Sequence, residues 1–138
     1  MKGYNVILIY NCTGDKILMC KRRKEPFRGL YNLVGGKIEP GETGPAAACR
    51  EMLEETSISA EHISLFHLMD FTYHTSGSCI EVYVGKLKTD VAVSGDENDL
   101  FWIESGSNFF DMDTFAGRGN IGHIVAQTNA WAEKIFPQ

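Results

Sequence analysis

The chain has 138 residues, 43% of them hydrophobic and 22% charged. That is the composition of a folded globular protein, too short for two ordinary domains with separate cores, so a single domain over residues 1–138 is expected. Eighteen acidic against 13 basic side chains leave a net charge of −5, the reverse of a surface that neutralises many phosphates, which argues against duplex nucleic acid as the main partner and leaves open one nucleotide bound through a metal.

No apolar run approaches the ~20 residues needed to span a bilayer, which argues against a membrane partner. The longest near the start, residues 6–10, lacks the basic lead-in and length of a signal peptide, so a cytoplasmic location is expected. Cys12, Cys20, Cys49 and Cys79 form no CxxC pair, and free thiols are the expectation. His62, His67, His74 and His123 do not combine with them at zinc-ligand spacing.

In chain order, residues 5–12 and 16–22 predict two strands, with Thr13-Gly14-Asp15 as a hairpin turn. A loop over 23–30, broken by Pro26 and Gly29, leads to a short strand over 31–34 that runs into Gly35-Gly36. A helix is predicted from Pro45, with Cys49, Met52 and Thr56 toward a core and Ala47, Glu51, Glu54, Glu55 and Ile58 on the opposite face. Strands follow over 64–73, 80–87 and 100–103, and a last helix over about 121–136 carries Ile121, Ile124, Val125 and Thr128 on one face. The order predicts an α/β protein with a mixed sheet and flanking helices rather than regular βαβ repeats.

Chemistry concentrates between Gly36 and Ile58. Glu51, Glu54 and Glu55 fall at i, i+3 and i+4, so a helix places all three on one face. Glu54 and Glu55 alone read as a solvated acidic face, but three carboxylates held together repel and call for a counter-charge. Hard oxygen donors of this kind suit Mg²⁺ or Mn²⁺. Arg50 is adjacent, and Glu42 in the preceding loop is a natural partner for its forked guanidinium. Gly35, Gly36 and Gly41 let that loop turn sharply and approach a metal or phosphate, with a peptide carbonyl available as a further ligand.

The segment GKIEPGETGPAAACREMLEETSI resembles the Nudix box, G-x5-E-x7-R-E-U-x-E-E-x-G-U. Gly36, Glu42, Arg50, Glu51, Glu54, Glu55 and Ile58 match, Met52 is an apolar substitute, and Ser57 stands where the pattern has Gly. That Gly follows the helix as a C-cap, so Ser57 is expected to cost some stability and to remove no ligand. The resemblance implies the Nudix fold, an α/β/α sandwich around a mixed sheet. It also implies divalent-metal-dependent hydrolysis of a nucleoside diphosphate linked to a moiety X.

Carried over residue by residue, the resemblance implies that Glu51, Glu54 and Glu55 bind one to three divalent ions with the Gly35 carbonyl. The general base is Glu54, or Glu97 as second choice. Glu97 lies in a polar turn before the aromatic strand, and Asp96 beside it is the alternative. Residues 29–37 are similar to the segment before the box in MutT-like sanitisers of oxidised nucleotides, which makes Asn32 a base contact or else a polar strand-edge residue. Asn120 N-caps the last helix or reads the base. Residues 16–28 hold six cations and one acid; Arg22, Arg23 or Lys37 could meet phosphates, and Phe27 is read as a loop plug. The expected reaction turns a nucleoside triphosphate into the monophosphate and pyrophosphate, with oxidised purine nucleotides among the candidates. The alternatives are a nucleotide sugar, a dinucleoside polyphosphate (Tyr73 faintly resembles the Tyr beyond the box in such members) and a non-catalytic nucleotide-sensing module. A homodimer is left open.

Overall fold

A computed structural model describes residues 1–95 and 97–137. Its elements are β1 (Lys2–Tyr10), β2 (Lys16–Lys21), β3 (Tyr31–Asn32), β4 (Val34–Lys37), α1 (Gly44–Thr56), β5 (Phe66–Tyr73), β6 (Ser78–Lys86), β7 (Leu100–Glu104), α2 (Asn120–Ala130) and α3 (Ala132–Ile135). One seven-stranded sheet follows the path β3-β2-β1-β6-β5, with β4 also paired to β1 and β7 to β2. β1 and β6 run parallel from Lys2↔Ser78 to Tyr10↔Lys86, and the other pairings are antiparallel.

β1 is apolar on both faces because both faces are covered. Ile7 and Ile9 pack with Leu18, Val34 and Tyr83 beneath Ala48 and Met52 of α1. Leu8 and Tyr10 pack with Met19, Val82 and Val84 beneath Ile121, Ile124 and Val125 of α2. The expected mixed sheet between helices is therefore present. Among the described residues no helix is long and apolar enough to cross a membrane.

The local expectations needed correction in five places. The first hairpin forms around Gly14 (φ 77°), but β1 and β2 share only the register pair Tyr10↔Ile17. β2 then takes β7 as its long partner, from Lys16↔Glu104 to Cys20↔Leu100. The predicted strand over 31–34 splits at Leu33: β3 pairs with β2, and β4 crosses to β1 at Ile7↔Val34 through Tyr4↔Lys37. In α1 the buried residues are Ala47, Ala48, Met52 and Thr56, with Cys49 only half-buried, since small Ala side chains let the helix sit close to the sheet. Ile58 is fully buried because the chain reverses at Ser57, and a residue just past such a cap packs back inward. The last helix breaks at Trp131 into α2 and α3, and Phe136 packs edge-on against Tyr10 at 5.9 Å.

Candidate active site

α1 begins where Thr43 Oγ1 accepts from Ala46 N at 3.2 Å, and Pro45 sits in the first turn, where no N–H is needed. It ends at Ser57, whose left-handed backbone (φ 68°) lets its N–H reach Leu53 O. Thirteen residues between these caps hold Glu51, Glu54 and Glu55 on the side that faces β4 and the loop before β7. β4 brings the other half of the site. Gly35 N donates to Glu55 Oε2 at 2.9 Å. A Cβ on Gly35 (φ 153°) would run into Asn5 O, and one on Gly36 would stand 2.6 Å from the Glu51 carboxylate. Both positions thus demand glycine, one to pack on β1 and the other to seat Glu51.

Arg50 ties these parts together. Its Nε and Nη2 donate to the two carboxylate oxygens of Glu42 at 2.7 and 2.8 Å. Its Nη2 also reaches Lys37 O at 3.1 Å and its Nη1 reaches Glu51 Oε1 at 3.0 Å. Glu42 Oε1 accepts from Glu39 N as well. The Arg50 hydrogen bonds, with help from Glu39 N, hold the Glu42 carboxyl down at about 2.

Glu51, Glu54, Glu55 and Glu97 line one cavity of about 540 Å³ with Cys20, Asn98 and Leu100. Glu55 is pushed up to about 7, chiefly by burial; the Gly35 N–H works against this, and the charges of Glu51, Glu97 and Glu54 add to it. Burial and the neighbouring carboxylates thus work against a full negative charge on Glu55. A divalent cation would offset that charge, and carboxylate oxygens are hard donors that suit Mg²⁺ or Mn²⁺, of which one or two per ion suffice beside waters. Among the described residues no three His, Cys, Asp or Glu side chains are already arranged around one metal position. Glu51 is turned onto Arg50 and Glu55 onto Gly35 N, so closing on an ion takes side-chain rotation. Asp96, the alternative to Glu97, lies outside the described residues.

A second cavity of about 490 Å³ joins Glu55 and Glu97 to Gly35, Asn32 and the cations Arg22, Arg23 and Lys24. A third, of about 800 Å³, continues past Gly35, Asn32 and Arg22 to Phe27, Tyr73 and Asn120. Arg22, Asn32 and Asn120 thus lie along one cleft that opens from the acid cluster. Lys37 lines none of the three; its backbone carbonyl holds Arg50. Asn120 is not the N-cap of α2, a position Gly119 takes without a side-chain bond. Its Nδ2 instead donates to Tyr73 Oη at 2.6 Å, because a left-handed Gly119 (φ 94°) leaves Asn120 inside the helix and facing β5.

One residue was missed. Asn5 is 1% exposed; its Oδ1 accepts from Gly36 N at 3.1 Å, and its Nδ2 has no partner among the described residues. A polar residue in an otherwise apolar strand was the available signal, since a buried amide normally has a job to do.

The family model described as NUDIX domain matches residues 1–119. An ADP-ribose pyrophosphatase of Methanocaldococcus jannaschii is 48% identical over 44 residues, 32% of this chain and 26% of that protein. A dihydroneopterin triphosphate diphosphatase of Escherichia coli is 39% identical over 62 residues, 44% of this chain and 40% of that protein. These matches span less than half the length of either relative. An Ap4A hydrolase of C. elegans, solved as a binary complex, superposes with a TM-score of 0.77 at 20% identity, covering 97% of this chain and 99% of that one; at that identity the likeness is one of fold. Nudix hydrolases generally use divalent metal ions. With Glu51, Glu54 and Glu55 lining one cavity, the sheet sandwiched as expected and the family model spanning most of the sequence, the chain belongs to the Nudix family.

Proposed function

We propose that this chain hydrolyses a phosphoanhydride in a nucleoside diphosphate linked to a moiety X, and that X is the terminal phosphate of a nucleoside triphosphate, so that water cleaves between the α- and β-phosphates and the products are the monophosphate and pyrophosphate. Oxidised purine nucleotides are the first substrates to try. The observation that carries the reading is the continuity of the acid cavity, through Gly35 and Asn32, with a cleft of about 800 Å³, large enough for a nucleoside. The metal is Mg²⁺ or Mn²⁺.

Glu51, Glu54, Glu55 and Glu97 would hold the ion, together with the Gly35 carbonyl. A divalent ion there supplies charge neutralisation for the phosphate oxygens and makes water a better nucleophile. Glu54, with its side chain 59% exposed and only a long 3.4 Å contact to Arg50, is free to take a proton from the attacking water. Glu97 is the second choice. Arg50 does not touch substrate in this reading; it fixes Glu51 and the loop of Glu42. Arg22 meets phosphate, and the amides of Asn32 and Asn120 face the base, where an amide can both donate and accept.

Tyr73 favours a second reading, a dinucleoside polyphosphate, because it lines the far end of the cleft and is bonded to Asn120. The named relatives split compounds as different as ADP-ribose and dihydroneopterin triphosphate, so a panel is required. Incubation of canonical and 8-oxo nucleoside triphosphates, ADP-ribose, a nucleotide sugar and Ap4A with Mg²⁺ or Mn²⁺, with products separated by chromatography, tests both readings. The leading one expects triphosphates to be cleaved fastest. Preferred cleavage of Ap4A would transfer support to the second.

A further inference from the structure

Asn5 interrupts the apolar row that β1 lays under α1. Ile7 and Ile9, two and four residues further on, pack beneath that helix, and strand alternation puts Asn5 on the same face. It is 1% exposed, and its Nδ2 has no hydrogen-bond partner among the described residues. A buried amide with an unmatched donor loses the hydration of that group without compensation, so stabilising the core is a poor explanation for it. The other end of the amide is engaged, since Oδ1 accepts from Gly36 N at 3.1 Å. Turning the amide over would set Nδ2 against that N–H, donor against donor, so its orientation is fixed.

The Gly36 N–H and the Gly35 carbonyl belong to one peptide unit. That unit is trans, and a planar trans peptide points its carbonyl opposite to its N–H. With the N–H turned to Asn5, the Gly35 carbonyl is turned away from it. Gly35 itself lines the cavity that holds Glu55 and Glu97. A flip of this peptide would exchange carbonyl for N–H, and it would change only ψ of Gly35 and φ of Gly36, two residues with no Cβ to resist it. A second side chain holds the segment one peptide earlier, where Gly35 N donates to Glu55 Oε2 at 2.9 Å. That hold is given up when Glu55 turns onto an ion, whereas Asn5 carries no charge and keeps its bond.

We propose that Asn5 is a positioning residue for the metal site: its Oδ1 holds the Gly35–Gly36 peptide so that a carbonyl, and not an N–H, is presented to the ion held by the glutamates. The inference rests on the metal reading above and adds to it a residue from β1, far from the box in sequence. It explains why an amide stands where the row of Ile7 and Ile9 would accept an apolar side chain. It also explains why the acceptor end of that amide is satisfied while the donor end is left without a partner.

Gly35-Gly36 is the one Gly-Gly pair in the sequence. Glycine labelled with ¹³C at its carbonyl and ¹⁵N at its amide therefore gives a single directly bonded ¹³C–¹⁵N pair, and NMR of that pair reads this peptide without requiring turnover. In wild type, saturating Mg²⁺ should shift the carbonyl resonance of the pair. Asn5→Leu and Asn5→Ala should each lose that shift, and by calorimetry should bind Mn²⁺ about 10–100-fold more weakly, the usual scale for a group that orients a metal ligand. Should Asn5→Leu fail to fold, Asn5→Ala carries the same expectation. Asn5→Asp keeps an acceptor oxygen for Gly36 N and should keep the shift. An Asn5 that only supports the core would lower the melting temperature in Asn5→Leu and Asn5→Ala yet leave the shift and the Mn²⁺ affinity in place, and that result would overturn the proposal. A wild type that binds Mn²⁺ and Mg²⁺ with the carbonyl unmoved would overturn the role of Asn5 and spare the metal reading, whereas a wild type that binds no divalent ion would overturn both. Failure to hydrolyse any phosphoanhydride, with the Asn5-dependent shift intact, would overturn the proposed reaction alone.

Discussion

Arg50 grips Glu42 with two parallel hydrogen bonds, Nε to Oε2 at 2.7 Å and Nη2 to Oε1 at 2.8 Å, so the loop before α1 is fastened to the helix that carries the acids. The Glu42 carboxyl is held at about 2, against an ordinary value of 4.5. An acid whose folded pKa is depressed stabilises the fold above its unfolded pKa and loses that contribution as pH falls through the folded one. Glu42→Gln should therefore lower the melting temperature at pH 7, and its difference from wild type should shrink between pH 4.5 and 2. A constant difference across that window would assign the effect to packing. Arg50→Lys, which cannot form the fork, should behave like Glu42→Gln at pH 7.

Glu54→Gln should reduce turnover by about 10²–10⁴-fold, the usual scale for loss of a general base, while leaving the melting temperature close to wild type, because the side chain is mostly exposed. Steady-state rates and a thermal melt read both halves. Turnover near the wild-type rate would move the role of base to Glu97.

Glu55 titrates near 7 rather than 4.5 in the folded chain, chiefly through burial. A carboxyl whose folded pKa is raised destabilises the fold once the unfolded chain ionises, so the penalty grows from pH 4.5 to about 7 and is level above it. In metal-free protein Glu55→Gln should raise the melting temperature at pH 8 and change it little near pH 4. A divalent ion must displace this proton, so Mn²⁺ should bind about tenfold more tightly per pH unit between pH 5.5 and 7 and then level off. Calorimetric titration across pH reads this slope, and a flat profile would remove Glu55 from the ligand set.

Gly36→Ala and Gly35→Ala should fail differently. A Cβ on Gly36 displaces the Glu51 carboxylate, whereas one on Gly35 meets the backbone of Asn5. Gly36→Ala is expected to weaken Mn²⁺ binding by about 10–100-fold, as changes around a metal ligand do, with a small shift in melting temperature. Gly35→Ala is expected to cost at least the ~1–3 kcal/mol of an overpacked site, read in denaturant melts.

The acid cluster was legible because it is local. Positions 50, 51, 54 and 55 need only helix geometry, and the Glu42 partner follows from guanidinium chemistry across one loop. The sheet was legible as a set of strands, not as a set of pairings. β2 leaves β1 after Tyr10↔Ile17 for β7, a choice made by packing far along the chain. Asn5 bonds Gly36 across the β1–β4 register, and Asn120 bonds Tyr73 across the cleft; no periodicity reports either. Phe27 and Arg118 share a cavity only because two loops converge. Cap chemistry lay between these limits: Thr43 caps α1 as its residue type allows, Ser57 takes the left-handed backbone that the pattern gives to Gly, and Gly119 displaced Asn120 as the cap of α2.

The central claim is that the glutamates of α1 hold a divalent ion with which the chain splits a phosphoanhydride. Its most direct measurement is pyrophosphate release from nucleoside triphosphates, first in EDTA and then with added Mg²⁺ or Mn²⁺, in wild type and Glu51→Gln. The account predicts no release in EDTA, release of pyrophosphate and monophosphate in equal amounts once metal is added, and loss of that activity in Glu51→Gln. Release that persists in EDTA, or that is undiminished in Glu51→Gln, would contradict it.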